Sequence, residues 1–239
     1  MNLYIVTGAT RGLGLELAGG IAAQPGNRLI TMGRARADGT NIEVDLADTM
    51  ALGLACDELE RRVAGARFER AVLFNNAGVI APVGPLEKVD AAELERNLAV
   101  NFTAPILLMR RFLRATASTP LRRIVNISSG AGRRPVFGWT AYCAAKAGLD
   151  MASRVVALEA AQRGLAIEVS SLAPGVIDTD MQEMVRGASA EDFVEVDRFR
   201  AFKAEGTLRP AADVAADILR LEAAGKLGGD SIQDLRQIP

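Results

Sequence analysis

Leu3-Tyr4-Ile5-Val6-Thr7-Gly8-Ala9-Thr10-Arg11-Gly12-Leu13-Gly14 stands almost at the start of the chain. Leu3–Val6 has the length and composition of a short buried strand, and a helical pattern follows from Gly14 to Ala23. Glycines at the junction let the backbone turn tightly and approach a pyrophosphate. The exposed N–H groups and the positive end of the following helix stabilise such an anion. A glycine-rich loop alone is a weak signal, and a helix N-terminus packed tightly for structural reasons would look similar. Its place between a strand and a helix favours the phosphate reading.

The same alternation continues along the chain. Further strands are expected at Arg28–Met32, Ile42–Val44, Ala71–Phe74, Arg123–Ile127 and Ala166–Leu172, with a short last one near Ser231–Gln233. Helices are expected at Thr49–Ala64, Ala91–Ala115, Thr140–Arg163 and Ala211–Ala224. The strands are short, rich in Val, Ile and Leu and mostly not alternating, as strands covered on both faces are. The pattern predicts an α/β fold: residues 1–239 as a single Rossmann-type domain with a doubly wound parallel sheet and helices on both faces. Asp178–Thr207 breaks the rhythm by mixing charges with Met181, Met184, Phe193, Val194, Phe199 and Phe202. A segment of that length is either a substrate-binding lid or a surface helix pair docked on the body.

The end of the second strand bears on the nucleotide. An NAD site usually carries an acid there for the ribose 2′-hydroxyl. Here the sequence is Gly33-Arg34-Ala35-Arg36, with no acid before Asp38. Arg34 offers a planar charged fork for a 2′-phosphate, and Arg11 in the glycine loop is placed to reach the same group. NADP(H) is therefore the expected cofactor, against the alternative of a surface arginine with no ligand.

Composition removes other chemistries. The 239 residues suit one domain, and a net charge of -1 gives no reason to expect nucleic acid or an anionic membrane. No apolar run is long enough to span a bilayer, and the N-terminus lacks the features of a signal peptide. Cys56 and Cys143 cannot build a disulfide framework, which fits a reducing cytoplasm, and no close Cys/His cluster suggests a metal. With no histidine, Ser-His-Asp and Cys-His catalysis are excluded. Tyr142 and Lys146 then stand out. Four residues apart, they share one helical face, and a nearby ammonium lowers a phenol's pKa towards the range of a general acid. A half-buried tyrosine beside a surface lysine is the bland alternative.

Together these residues resemble the short-chain dehydrogenase/reductases over essentially the whole length. The chain carries Thr7-Gly8-x-x-x-Gly12-x-Gly14, Asn75-Asn76-Ala77-Gly78, Asn101, Ser128-Ser129, Tyr142-x-x-x-Lys146 and Pro174-Gly175-x-x-x-Thr179 in order. The resemblance implies that Ser129 hydrogen-bonds a substrate carbonyl and that Tyr142 delivers the proton. It implies that Lys146 lowers the tyrosine pKa and holds the nicotinamide ribose, and that Asn101 anchors a proton-relay water. It assigns to the cofactor Gly8, Thr10, Arg11, Gly12, Leu13, Gly14 and Arg34, with Asp45 and Leu46 at the adenine. Asn76, Ala77 and Gly78 would line the cleft, with Pro174, Gly175, Ile177 and Thr179 at the carboxamide end.

A narrower resemblance is to the sepiapterin reductase and bacterial benzil reductase branch, which uses NADPH. It rests on Gly138-Trp139-x-x-Tyr142-Cys143-Ala144-x-Lys146-Ala147, Asp178-Thr179-x-Met181-Gln182 and Lys203-Ala204-Glu205-Gly206-x-Leu208. It implies a small carbonyl substrate, a ketone or vicinal dicarbonyl, and a homodimer or homotetramer. Trp139, Met181, Met184 and Phe199 are either an apolar pocket over the nicotinamide or core. One departure concerns pterins: the aspartate that sepiapterin reductases carry on the last strand falls on Gln233, within Gly228-Gly229-Asp230-Ser231-Ile232-Gln233-Asp234. Asp234 would need a one-residue shift, which turns its side chain to the other face. Alternatives are a reductase of another branch, for 3-oxoacyl thioesters or sugar ketones, and a non-catalytic NADP(H) sensor.

Overall fold

The computed structural model describes residues 1–34, 39–228 and 231–238. Ala35, Arg36 and Asp38, which entered the cofactor expectation, lie outside the described residues, as do Gly229 and Asp230. Among the described residues a seven-stranded parallel sheet is built from β1 (Asn2–Thr7), β2 (Asn27–Gly33), β3 (Asn41–Glu43), β4 (Arg70–Asn75), β5 (Leu121–Ile127), β6 (Ile167–Ala173) and a late strand, Ile232–Asp234. Its order is β3-β2-β1-β4-β5-β6 and then the late strand. The order reverses beside β1, the crevice where open α/β sheets bind ligands.

Successive residues of each strand enter opposite cores, so both faces are apolar. Leu3, Ile5, Leu73 and Ile124 pack with Leu52 and Leu59 of α2 (Thr49–Val63). Tyr4, Val6, Phe74 and Val125 pack on the other face with Leu17 and Ile21 of α1 (Gly12–Ala22). Each such buried side chain contributes about 1.5–3 kcal/mol. Asp48 caps α2 by accepting from the amides of Met50 and Ala51, both at 2.9 Å. Asp90 caps α3 (Ala91–Leu98) in the same way at Ala92 and Glu93. These caps satisfy amides that the first helical turn leaves without partners.

The helix expected over Ala91–Ala115 is not continuous. It breaks into α3, a π-helical turn at Ala99–Thr103, and α4 (Ala104–Ala115). Pro105 supplies the reason, because it has no N–H to donate to the carbonyl of Asn101 four residues back. The long helix α5 (Thr140–Gln162) is unbroken.

The excursion after β6 resolves into a docked helix pair. A two-residue strand, β7 (Ile177–Asp178), leads into α6 (Asp180–Arg186) and α7 (Val196–Ala204). Its far end, β8 (Arg209–Pro210), pairs back onto β7, so the segment is closed at its base. Helix α8 (Ala211–Ala223) then returns to the α1 side, and the late strand becomes β9 (Ile232–Asp234). No described helix is long and apolar enough to cross a membrane.

Candidate active site

The carboxyl ends of β1, β4, β5 and β6 open into one cavity of about 450 Å³. Every residue assigned from sequence to the dinucleotide lines it, from Gly8 to Thr179. The glycine loop is held by close packing. A Cβ on Gly14 would stand 2.2 Å from the Gly8 carbonyl oxygen and 2.3 Å from Asn76 Nδ2. Asn76 Nδ2 donates to Thr7 O at 2.9 Å, and Thr7 Oγ1 accepts from the amides of Asn76 and Ala77 at 3.0 Å. Helix α1, unlike α2 and α3, has no side-chain cap, and its first turn holds no acid. Its amides and dipole therefore face the cavity unneutralised, and the donor set fits the pyrophosphate of a nicotinamide dinucleotide.

At the adenine end Asp45 lines the cavity, and Arg96 of α3 donates to both of its oxygens at 3.2 and 3.0 Å. Burial alone would raise the Asp45 pKa. The Ala47 amide, Arg96 and the nearby Arg34 outweigh it and hold the carboxyl below its usual range. Sequence reading missed Arg96, since nothing in the spacing of α3 reveals that it faces a residue 51 positions away. Arg34 follows β2 directly, is exposed and lines the cavity. Arg11 is differently placed from its expected role: its Nη1 pairs with Asp180 Oδ2 of α6 at 2.7 Å. Both side chains are 63% exposed, and an ion pair of that kind contributes little. A phosphate can therefore displace Asp180 at small cost.

The opposite end holds the candidate chemistry. Ser129 follows β5, caps the short turn Gly130–Gly132 and hydrogen-bonds the Tyr142 phenol. Tyr142 and Lys146 occupy successive turns of α5, both buried, with Lys146 Nζ 5.6 Å from the Tyr142 ring centroid. Lys146 Nζ donates to the Ile127 carbonyl at 2.8 Å. The expectation that Lys146 sets a low tyrosine pKa needs correcting for this cleft. Burial pushes Tyr142 up to about 12, with the Ser129 hydrogen bond pulling against it. Burial likewise pushes Lys146 down to about 8, with Asp150 holding it up. Desolvation is the largest cause at both groups.

Asn101 does not line the cavity but stands directly behind it. Its side chain clamps Val79, accepting from the amide at 3.1 Å and donating to the carbonyl at 2.8 Å. A Cβ on Gly78 would lie 3.0 Å from Asn101 Oδ1, 3.8 Å from Lys146 Nζ and 3.9 Å from Met181 Cε, so these groups converge.

Trp139 and Met181 line the cavity as expected. Trp139 stacks on Phe193 of the excursion at 4.8 Å and meets Tyr142 edge-on at 5.6 Å; Phe199 also meets it edge-on at 5.6 Å. Trp139 is thus both core and wall. The indole Nε1 is buried with no hydrogen-bond partner. Met184 is corrected: it is exposed and borders a smaller neighbouring cavity of about 210 Å³, because it lies on the outer side of α6. Gln233 turns away from the cleft to accept from Ser170 Oγ at 2.5 Å and donate to Lys226 O at 3.1 Å. Asp234 is occupied by Arg236, at 2.9 and 2.6 Å, and it is Arg236 that lines the cavity.

Known proteins resemble this chain over most of its length. The profile of the family described as short chain dehydrogenase matches residues 2–189. A benzil reductase ((S)-benzoin forming) of Bacillus subtilis (strain 168) is 35% identical over 243 residues, covering 99% of this chain and 99% of that protein. A sepiapterin reductase of Meriones unguiculatus is 32% identical over 239 residues, covering 91% and 89%. Among solved structures, a short-chain dehydrogenase/reductase from Burkholderia vietnamiensis is 35% identical with a TM-score of 0.67, covering 80% of this chain and 93% of that one.

Proposed function

The chain belongs to the short-chain dehydrogenase family and is an oxidoreductase, and on that premise we propose that it is an NADPH-dependent carbonyl reductase acting on ketones or vicinal dicarbonyls. The observation that carries the substrate class is the wall beside Tyr142, where Trp139, Phe193 and Phe199 form one aromatic cluster. Such a wall accepts an aryl group next to the reacting carbonyl. The unpaired indole N–H suits a substrate with a second carbonyl oxygen.

A bound reduced nicotinamide dinucleotide would supply hydride to the carbonyl carbon. This chain's own residues handle the oxygen. Ser129 orients it by donating a hydrogen bond, and Tyr142, protonated through neutrality, delivers the proton as charge develops there. Lys146 holds the ribose and supplies positive charge beneath the phenol. Pro105 withholds the helical donor from the Asn101 carbonyl, leaving that oxygen suited to anchor a relay water. Arg34, with Arg11 released from Asp180, receives the 2′-phosphate. Pairing of two copies across α5 is supported by its exposed Met151, Val155 and Leu158.

A pterin substrate is disfavoured, because Gln233 and Asp234 are both committed elsewhere and the cleft presents Arg236 instead. The test is NADPH oxidation with benzil, sepiapterin and acetoacetyl thioester, in the wild type and in Tyr142→Phe. Turnover of the diketone that Tyr142→Phe abolishes, with NADPH binding retained, is the expected result. Near-normal kcat in that variant would refute the mechanism. NADPH binding with no turnover of any carbonyl would instead favour a sensor.

A further inference from the structure

Helix α5 carries Tyr142, Lys146 and Asp150 at successive turns, so all three share one face. Each is at most 7% exposed. The first two have roles in the proposed reaction; Asp150 has had none. Its carboxylate is braced from two strands. Oδ1 accepts from Ser128 Oγ after β5 and from Ser171 Oγ of β6, both at 2.6 Å. Oδ2 faces Arg133 Nε at 3.4 Å, at the outer limit of a hydrogen bond. These two short hydroxyl bonds fix the carboxyl group between the strands and α5.

Lys146 stands in contrasting surroundings. Its hydrogen bond runs to a neutral carbonyl, that of Ile127. Asn101 of the π turn and Met181 of α6 converge with it around Gly78, and its helical neighbour is Tyr142. All are neutral at pH 7. Arg133, on the turn after Ser129, pairs with Asp150 Oδ2 at 3.4 Å and turns its Nη2 to the carbonyls of Ser171 and Gln233. Asp150 therefore provides the negative charge beside a desolvated ammonium.

We propose that Asp150 is a positioning residue which keeps Lys146 protonated, its carboxylate fixed against α5 by Ser128 and Ser171. This rests on the reading of Lys146 as part of the reductase site. The direction of the Lys146 shift agrees, since burial lowers it to about 8 while Asp150 opposes the fall.

The lysines are Lys88, Lys146, Lys203 and Lys226, few enough for direct titration by NMR of the cofactor-free protein labelled at lysine Cε. The Lys146 resonance is identified by its loss in Lys146→Arg. In Asp150→Asn it should titrate lower than in the wild type by about one pH unit or more, as expected for loss of a charge one helical turn away. Asp150→Glu should restore part of the difference. In parallel, the alkaline limb of kcat/KM should move to lower pH in Asp150→Asn. A merely structural role would lower kcat/KM at every pH without moving the limb. Should Asp150→Asn not fold, Asp150→Ser, which leaves room for a water among the same hydroxyls, carries the same expectation. An unchanged Lys146 titration in the folded variant overturns the proposal. If the titration moves but the wild type reduces no carbonyl, the electrostatic role stands and the reductase reading falls.

Discussion

Two alanine substitutions in one helix should have opposite effects. In α1, a Cβ on Gly14 would meet Gly8 O at 2.2 Å and Asn76 Nδ2 at 2.3 Å, whereas one on exposed Gly19 meets nothing within 4 Å. Neither neighbour of Gly14 can swing aside, because one is backbone and the other is pinned to Thr7 O at 2.9 Å. Relief requires the glycine loop to move by roughly 1 Å, a displacement that costs about 100-fold in rate when it misplaces a reactant. Overpacking costs ~1–3 kcal/mol, offset by the ~1 kcal/mol that alanine gains over glycine in a helix. Gly14→Ala should therefore melt up to several degrees below the wild type, since 1 kcal/mol corresponds to about 2–4 °C at this size. Its NADPH affinity should fall at least about tenfold, and kcat/KM by about 100-fold. Gly19→Ala should melt about 2–4 °C higher with NADPH affinity unchanged. Thermal melts and fluorescence titration with NADPH read both. Wild-type affinity in Gly14→Ala would refute the account of the loop as a close-packed phosphate cradle.

Arg34→Ala should weaken NADPH much more than NADH, measured by paired titrations; equal losses would remove the 2′-phosphate role. With Tyr142 raised to about 12 and Lys146 lowered to about 8, kcat/KM for NADPH should hold through neutrality. It should then fall above about pH 8 as the ammonium loses its proton, and a rise there would refute the assignment. At the opposite end of the sheet, Glu222 is 1% exposed and accepts from Arg123 at 2.7 Å and from Tyr4 at 3.0 Å, with Arg70 at 3.2 Å. Glu222→Ala removes one of the two carboxylates that hold buried Arg123, Glu168 being the other, and leaves the Tyr4 hydroxyl without its acceptor; it should cost about 1–3 kcal/mol, or roughly 2–12 °C in Tm. NADPH affinity should persist, because this cluster lies away from the cleft.

Much of the molecule could be read before any coordinates. The strand order of appearance, the loop from Gly8 to Gly14, and the shared face of Tyr142 and Lys146 all depend on residues within a few positions of one another. Apolar runs, turn glycines and helical spacing encode such features locally. Even the break at Asn101 had a local cause in Pro105, although the apolar pattern over Ala91–Ala115 concealed it. Contacts that join distant segments were not legible. Arg11 pairs with Asp180, 169 positions away, Arg96 clasps Asp45, Phe193 stacks on Trp139, and Met184 faces outward. The charge state of the central pair was least legible of all. Spacing suggested attraction between Tyr142 and Lys146, but the fold buries both, and desolvation then pushes their pKa values apart. Sequence by itself determined the local elements that carry the Gly8–Gly14 loop, Ser129, Tyr142 and Lys146. Only the tertiary structure decided their surroundings, because burial and partner choice depend on surfaces that folding brings together.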